Sequence, residues 1–186
     1  QYRWAPEHPH PAALDDTLAA LPIAKVMSYQ LADGWTSVAF VRPAHRLIAL
    51  HGADVVPVRV LGLDAGRETF GHRFQAQVEP VVVQDAEHYA QQLEQQGAVI
   101  AAFNERRNDI SRQLQHAAGL IGLVPIDDDA LLDEVTALVE KPKVLRCSFE
   151  AEFLAVPPEC LSLTMKANQK YFPLLDDKGE LTNLFL

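Results

Sequence analysis

Two adjacent prolines, Pro157 and Pro158, lie inside the stretch Val144–Pro173 (VLRCSFEAEFLAVPPECLSLTMKANQKYFP) and constrain this chain more than any other feature. Proline lacks a backbone N–H and has a fixed φ. It therefore breaks a helix interior but fits a first helical turn, where its missing donor would be unpaired anyway. Glu159 adds a carboxylate at the end where the helix dipole favours one. The spacing predicts a helix that starts near Pro158, runs through Leu161 and Met165, and ends near Lys170, with Tyr171–Pro173 extended again. Upstream, Val144, Arg146 and Ser148 alternate with Leu145, Cys147 and Phe149, the period of a half-buried strand. Downstream, Asp176-Asp177-Lys178-Gly179 reads as a hairpin turn between extended runs at 171–175 and 181–186. A strand–helix–hairpin unit is expected here.

The last turn of that helix carries Lys166, Asn168, Gln169 and Lys170 beside Tyr171 and Phe172. Two cations and two amides at a helix C-terminus suit an anion or a polar partner. The competing reading is structural, since lysines and amides also complement the free carbonyls and the dipole at that end.

From Lys25 to Val83 the period is that of strands, with β-rich runs at 26–30, 36–41, 46–50 and 55–62. Asp33-Gly34, Arg42-Pro43 and Gly52-Ala53-Asp54 separate them as turn signals, so an antiparallel β-meander is the simplest reading. Arg42, His45 and His51 fall at strand ends, and Gly71-His72-Arg73-Phe74 opens a further extended run ending at Val83. Arg42 and Arg73 either form ion pairs with Asp54, Asp64 or Glu68 or contact an anion. His45 and His72 are equally readable as hydrogen-bonding groups, and no Ser or Cys stands in a nucleophile motif.

Helical spacing then takes over. Asp85–Gln96 has Ala86, Tyr89, Ala90 and Leu93 on one face, with Asp85 as N-cap and Gly97 as C-cap. Asn104–Ala118 repeats Ile110, Leu114 and Ala117 and carries Glu105, Arg106, Arg107, Asp109 and Arg112, read as a solvated charged face. Asp127-Asp128-Asp129 precede Leu131, Leu132, Val135 and Leu138. Three aspartates suit magnesium, but acids at a helix start also cap free N–H groups, and a metal site needs ligands from elsewhere. A helix over 12–21 follows a proline-rich tail, residues 1–17, that reads as mobile; its His8 and His10 lack further ligands, so no metal site is expected.

The expected class is α+β: an antiparallel β-meander, then helices, then the strand–helix–hairpin unit, all within a single domain at 18–186 that has a β-rich lobe at 23–83 and a helical lobe at 84–141. At 48% hydrophobic residues the chain has material for a core. No run of eighteen apolar residues and no signal peptide occur, so neither a membrane nor secretion is suggested and the cytoplasm is the expected location. Cys147 and Cys160 have no metal spacing and read as small buried thiols. The chain opens on Gln1 and closes on an apolar Asn-Leu-Phe-Leu, which reads as a piece of something longer. The net charge of −9 is uneven: residues 1–82 hold seven Lys/Arg against eight Asp/Glu, and residues 83–186 hold nine against seventeen. An acidic second half suits phosphates poorly, so this piece alone is expected to bind RNA weakly, through its first half or the Lys166/Lys170 turn.

The segments FLAVPPE and TMKANQKYFP, together with LPIAKVM at 21–27, FVRPAHRLIALHG at 40–52, GHRF at 71–74 and LVEKPKVL at 138–145, resemble the beta subunit of bacterial heterotetrameric glycyl-tRNA synthetase. Residues 1–17 and Leu31-Ala-Asp-Gly-Trp35 depart from that pattern. The resemblance implies an N-terminal-to-middle part of beta, before its HD-type and anticodon-binding regions. It also implies an alpha subunit that holds the glycine- and ATP-dependent, magnesium-using active site, and tRNA(Gly) as the substrate of the assembled enzyme. The architecture is similar to the B3/B4 editing-type domain of the phenylalanyl enzyme's beta chain. The resemblance marks Arg42, His45, His72, Arg73, Lys166, Gln169 and Lys170 as tRNA- or partner-binding candidates, with no catalytic residue, cofactor or metal in this stretch. Its alternatives are a hydrolytic editing domain acting on mischarged tRNA, with Arg42, His45, His72 and Arg73 lining a pocket, and a pure protein-interaction module.

Overall fold

The computed structural model describes residues 27–40 and 45–186. The tail at 1–17, the helix expected at 12–21 and the candidate Arg42 lie outside the described residues. The chain combines helices with mainly antiparallel strands, an α+β fold. The chain divides into two compact units, one taking the described residues up to Phe70 with Glu79–Tyr89, the other Gly71–Val78 with Ala90–Leu186.

The first unit is built from short ribbons. Strand β1 (Met27–Gln30) pairs antiparallel with β2 (Ser37–Phe40). The Asp33 carboxylate holds the turn, accepting from the Trp35 and Thr36 amides at 2.9 Å each and from the Thr36 hydroxyl at 2.6 Å. These bonds, that of the Thr36 hydroxyl first, pull its pKa down to about 2. Strands β3 (Leu47–Ile48), β4 (Leu50–His51), β5 (Asp54–Val55), β6 (Arg59–Val60) and β7 (Leu63–Gly66) follow. β4–β5 and β6–β7 are antiparallel hairpins, as a meander requires, but β3 pairs with β7 in parallel. The meander thus folds back on itself, because no hairpin can place two parallel strands side by side. β8 (Glu68–Thr69) pairs with β9 (Val81–Val82), and Val58, Val81 and Val83 are buried. The Arg67 guanidinium ties this layer together by donating to the carbonyls of Ala53 at 2.8 Å and Gln84 at 3.3 Å.

Helix α1 (Tyr89–Gly97), which belongs to the second unit from Ala90 on, starts four residues past Asp85, whose carboxylate accepts the His88 amide at 2.8 Å. The left-handed residue after α1 is Ala98, at φ 53°, not a glycine. Gly97 answers a different need. The backbone of Gly71 lies directly against it, and the amides of His72, Gln77 and Val78 donate to the carbonyls of Gly97 and Gln96, capping the helix from outside. Helix α2 (Phe103–Gly119) and α3 (Asp129–Leu138) pack with Ile110, Leu114, Leu131, Leu132 and Phe172 buried between them, flanked by Val135, Val139, Val144 and Leu186. A four-stranded sheet closes the unit in the order β10 (Val124–Pro125), β12 (Pro173–Leu175), β13 (Leu181–Phe185), β11 (Cys147–Ser148). The turn between β12 and β13 is held as expected by Asp176, which accepts from the amides of Lys178 and Glu180.

Two expectations fail here. The half-buried strand at 144–149 shrinks to Cys147–Ser148, both exposed. The preceding extended residues are held instead by the Gln113 amide, which donates to the Pro142 carbonyl at 3.1 Å and accepts from the Val144 amide at 2.9 Å. A side chain from α2 thus stands in for a neighbouring strand. Both cysteines are free and exposed rather than buried.

Candidate functional site

Pro158 begins α4 (Pro158–Leu163), as its missing N–H and the following Glu159 require. The helix then widens into a π-helical turn over Thr164–Gln169 and stops at Lys170, which adopts the left-handed conformation at φ 62°. A π turn and a left-handed non-glycine residue are both uncommon and cluster where side chains must be aimed. Here they aim lysines. Met165 is buried beneath, and its carbonyl accepts the Tyr171 amide at 2.9 Å, which locks the exit of the turn.

Lys166 Nζ lies 2.8 Å from Asp128 Oδ2, and Lys170 Nζ lies 2.8 Å from Glu134 Oε1 and 2.9 Å from Glu134 Oε2. Both carboxylates belong to α3, Asp128 at its start and Glu134 in its middle. Asp128 is its N-cap and accepts the Leu131 amide at 3.0 Å. The Lys166 ammonium first, and then the Leu131 amide, hold the Asp128 carboxyl below the usual carboxylate range. From α2, Arg107 donates to Asp129 and Asp133 at 2.5 Å each. These two bonds push its guanidinium pKa up, Asp133 first. Arg106 donates to the Thr136, Ile100 and Ala101 carbonyls, covering the C-terminal turn of α3. Three cations from two helices thus surround four carboxylates on a third. The predicted solvated face of α2 is corrected accordingly: Arg106 and Arg107 turn inward to α3, because its first turn offers carboxylates and its last offers carbonyls.

Asp128 is taken by Lys166 and the Leu131 amide, and Asp129 faces Arg107 through one oxygen while remaining largely exposed. Among the described residues no group of three or more His, Cys, Asp and Glu side chains is placed to hold a metal ion, and no helix is long and apolar enough to cross a membrane.

The remaining candidates divide between the two units. His45 is exposed at a cleft of about 410 Å³ in the first unit, lined also by Arg46, Val55, Leu63 and Glu68. In the second unit His72 is half-buried, with its Nδ1 accepting the Phe74 amide at 3.2 Å and its Nε2 3.9 Å from Glu140. Arg73 is exposed, 5.7 Å over the Phe74 ring, and Gln169 is exposed beyond the two anchored lysines. Sequence reasoning missed Arg107, Asp133 and Glu134. The i, i+4 and i, i+5 spacing of Asp133 and Glu134 from Asp129 gave no hint that they face a helix more than twenty residues upstream and a turn more than thirty downstream.

Removing the Asp128 carboxylate should separate its two roles. Asp128→Ala is expected to lower stability by about 1–2 kcal/mol, combining a lost cap with a lost pair, and Asp128→Asn by under about 1 kcal/mol, since the amide oxygen still caps. The folded-state pKa is depressed, so the ionic part is present above the ordinary aspartate value near ~3.9 and vanishes as pH falls through the lowered one. Melting curves of parent and Asp128→Asn should therefore draw together as pH falls below about 4. Equal separation at pH 3 and pH 7 would refute the pairing.

The family profile described as glycyl-tRNA synthetase beta subunit matches residues 9–186. Curated relatives named glycine–tRNA ligase beta subunit include that of Leptothrix cholodnii, 71% identical over 174 residues, with 94% of this chain and 24% of the relative covered. Those of Acidovorax ebreus and Dechloromonas aromatica are each 68% identical over 94% of this chain and 25% of their own lengths. The chain belongs to the glycyl-tRNA synthetase beta subunit family, and it spans about a quarter of the length of the curated relatives it matches.

Proposed function

We propose that this chain serves, as part of the beta subunit of a glycine–tRNA ligase, to support tRNA recognition and subunit assembly for ATP-dependent charging of tRNA(Gly) with glycine, in the cytoplasm. In this reading the alpha subunit is the partner that holds the ATP- and magnesium-dependent chemistry, and the present stretch is not itself catalytic. The observation that carries it is the anchoring of Lys166 and Lys170 on α3 at 2.8 Å, which makes the most distinctive motif of the chain a rigid presenting turn rather than a reactive constellation. Rigid turns of this kind hold the residues beyond them, here Gln169 and the adjoining exposed surface, in one geometry for a partner. His45, His72, Arg73 and Arg42 remain the further contact candidates.

The test is a salt series on the assembled alpha–beta enzyme carrying Gln169→Ala, Lys166→Ala/Lys170→Ala, or neither. A turn that presents its neighbours predicts weaker tRNA binding or subunit association for both variants. It also predicts an unchanged salt slope, because lysines already paired with carboxylates release no counterions. A slope shallower by about one unit per lysine would instead make the lysines direct phosphate contacts. Full activity, affinity and assembly in both variants would remove the proposal.

A further inference from the structure

An apolar groove of about 340 Å³ runs along the second unit between α2, α3 and the last strand, lined by Leu114, Val135, Val139, Leu145, Tyr171 and Phe185. Its outer lip is costly to leave in water: Leu145 is 60% exposed and Tyr171 38%. One rim is the extended segment 142–145, where Lys143 lines the groove and Lys141 and Arg146 flank it in the chain, all three exposed. Gln113 holds that segment by both its amide groups, so the rim is preformed. These three cations form no ion pair with the described residues, whereas Arg107, Arg112, Lys166 and Lys170 each have a carboxylate. In a half of the chain with seventeen acids against nine bases, three uncompensated cations within six residues are a local exception.

We propose that this groove docks an acidic protein segment with a bulky apolar anchor, supplied by the portion of the same subunit outside this quarter. The wall is mixed, aliphatic at Leu114, Val135 and Val139 and aromatic at Tyr171 and Phe185. These two rings already stack on each other at 4.6 Å between centroids, with Phe149 on Phe185 at 6.5 Å, so the groove is better suited to an apolar side chain than to a stacked nucleobase, which argues for protein over RNA. The cationic rim calls for Asp or Glu flanking the anchor. The source follows from length: relatives are about four times as long as this chain, and a segment on the same polypeptide binds at an effective concentration that free partners rarely match. The proposal rests on family membership for that missing length but not on any role in charging tRNA.

Cys147 lines the groove and its thiol is exposed in this chain, so it reports whether the groove is covered. The experiment labels the full-length beta subunit with N-ethylmaleimide, follows the Cys147 peptide by mass spectrometry, and refers its rate to that of the same peptide in guanidinium chloride. We expect at least tenfold protection in the beta subunit alone. Leu145→Asp, or reversal of Lys141, Lys143 and Arg146 to Glu, should return the rate to within about twofold of the unfolded value, while circular dichroism stays unchanged. Labelling at the unfolded rate in beta alone would overturn the proposal. So would protection that appears only on adding the alpha subunit or tRNA, which would place a different protein or an RNA there. Protection indifferent to both variants would overturn it too, since the cover would then not use the groove.

Discussion

Gly71→Ala lowers the stability of this chain by about 3 kcal/mol or more, the largest loss expected from adding a single methyl group. The added Cβ would stand 2.3 Å from the Gly97 Cα and 2.3 Å from the Gly97 carbonyl oxygen, and both are backbone atoms that no rotamer change can move. Relief requires the 71–78 segment to lift from the end of α1. That breaks the His72 amide bond to Gly97 at 2.6 Å and the Gln77 amide bond to Gln96 at 2.8 Å, leaving helix carbonyls uncapped. Gly119→Ala is the matched control: nothing lies within 4 Å of its added Cβ, and it closes α2, where alanine is the better helix former. It should be neutral or stabilising by up to about 1 kcal/mol. Chemical denaturation of both variants decides the matter, and equal midpoints would show that the Gly71–Gly97 contact is not made.

Ile110→Ala should lower stability by about 2–5 kcal/mol, the range for deleting a buried aliphatic side chain whose surroundings cannot collapse. Ile110 is 2% exposed at the centre of the α2–α3 core, against Leu114, Leu131, Leu132 and Phe172. Phe172 belongs to the same QKYFP segment that carries Lys170, so loosening the core also loosens the seat of the lysine turn. The effect should therefore reach beyond stability: hydrogen exchange of the Tyr171 amide, bonded to the Met165 carbonyl at 2.9 Å, should quicken with the core amides. Leu120→Ala, at a position 73% exposed, should change stability by less than about 0.5 kcal/mol. A loss at Ile110 no larger than at Leu120 would contradict this core.

Much of the local structure was legible in the residues. Pro158 begins a helix because a proline satisfies a first turn, Asp128 caps α3, Asp33 and Asp176 organise hairpins, and Ile110 and Leu114 face inward at helical spacing. These are nearest-neighbour effects, decided within four residues. The class, α+β, followed from the change of period along the chain. The candidate site was legible only as an unusual composition, because a lysine near a helix end looks the same whether it faces water, phosphate or a carboxylate.

What the sequence by itself determined, then, is where elements begin, which faces are apolar, and which motif tie the chain to its family. Tertiary structure alone decided the partners. Lys166 finds Asp128 across 38 residues and Lys170 finds Glu134 across 36, a pairing that periodicity cannot encode. It decided that Arg106 and Arg107 face α3 rather than solvent, that Gly97 is small for Gly71 rather than for a left-handed turn, and that Cys147 and Leu145 edge an open groove. The physical reason is common to all four. A charge or a glycine has low information in isolation, since its energy depends on what stands within a few ångströms, and only the packed fold specifies that neighbour.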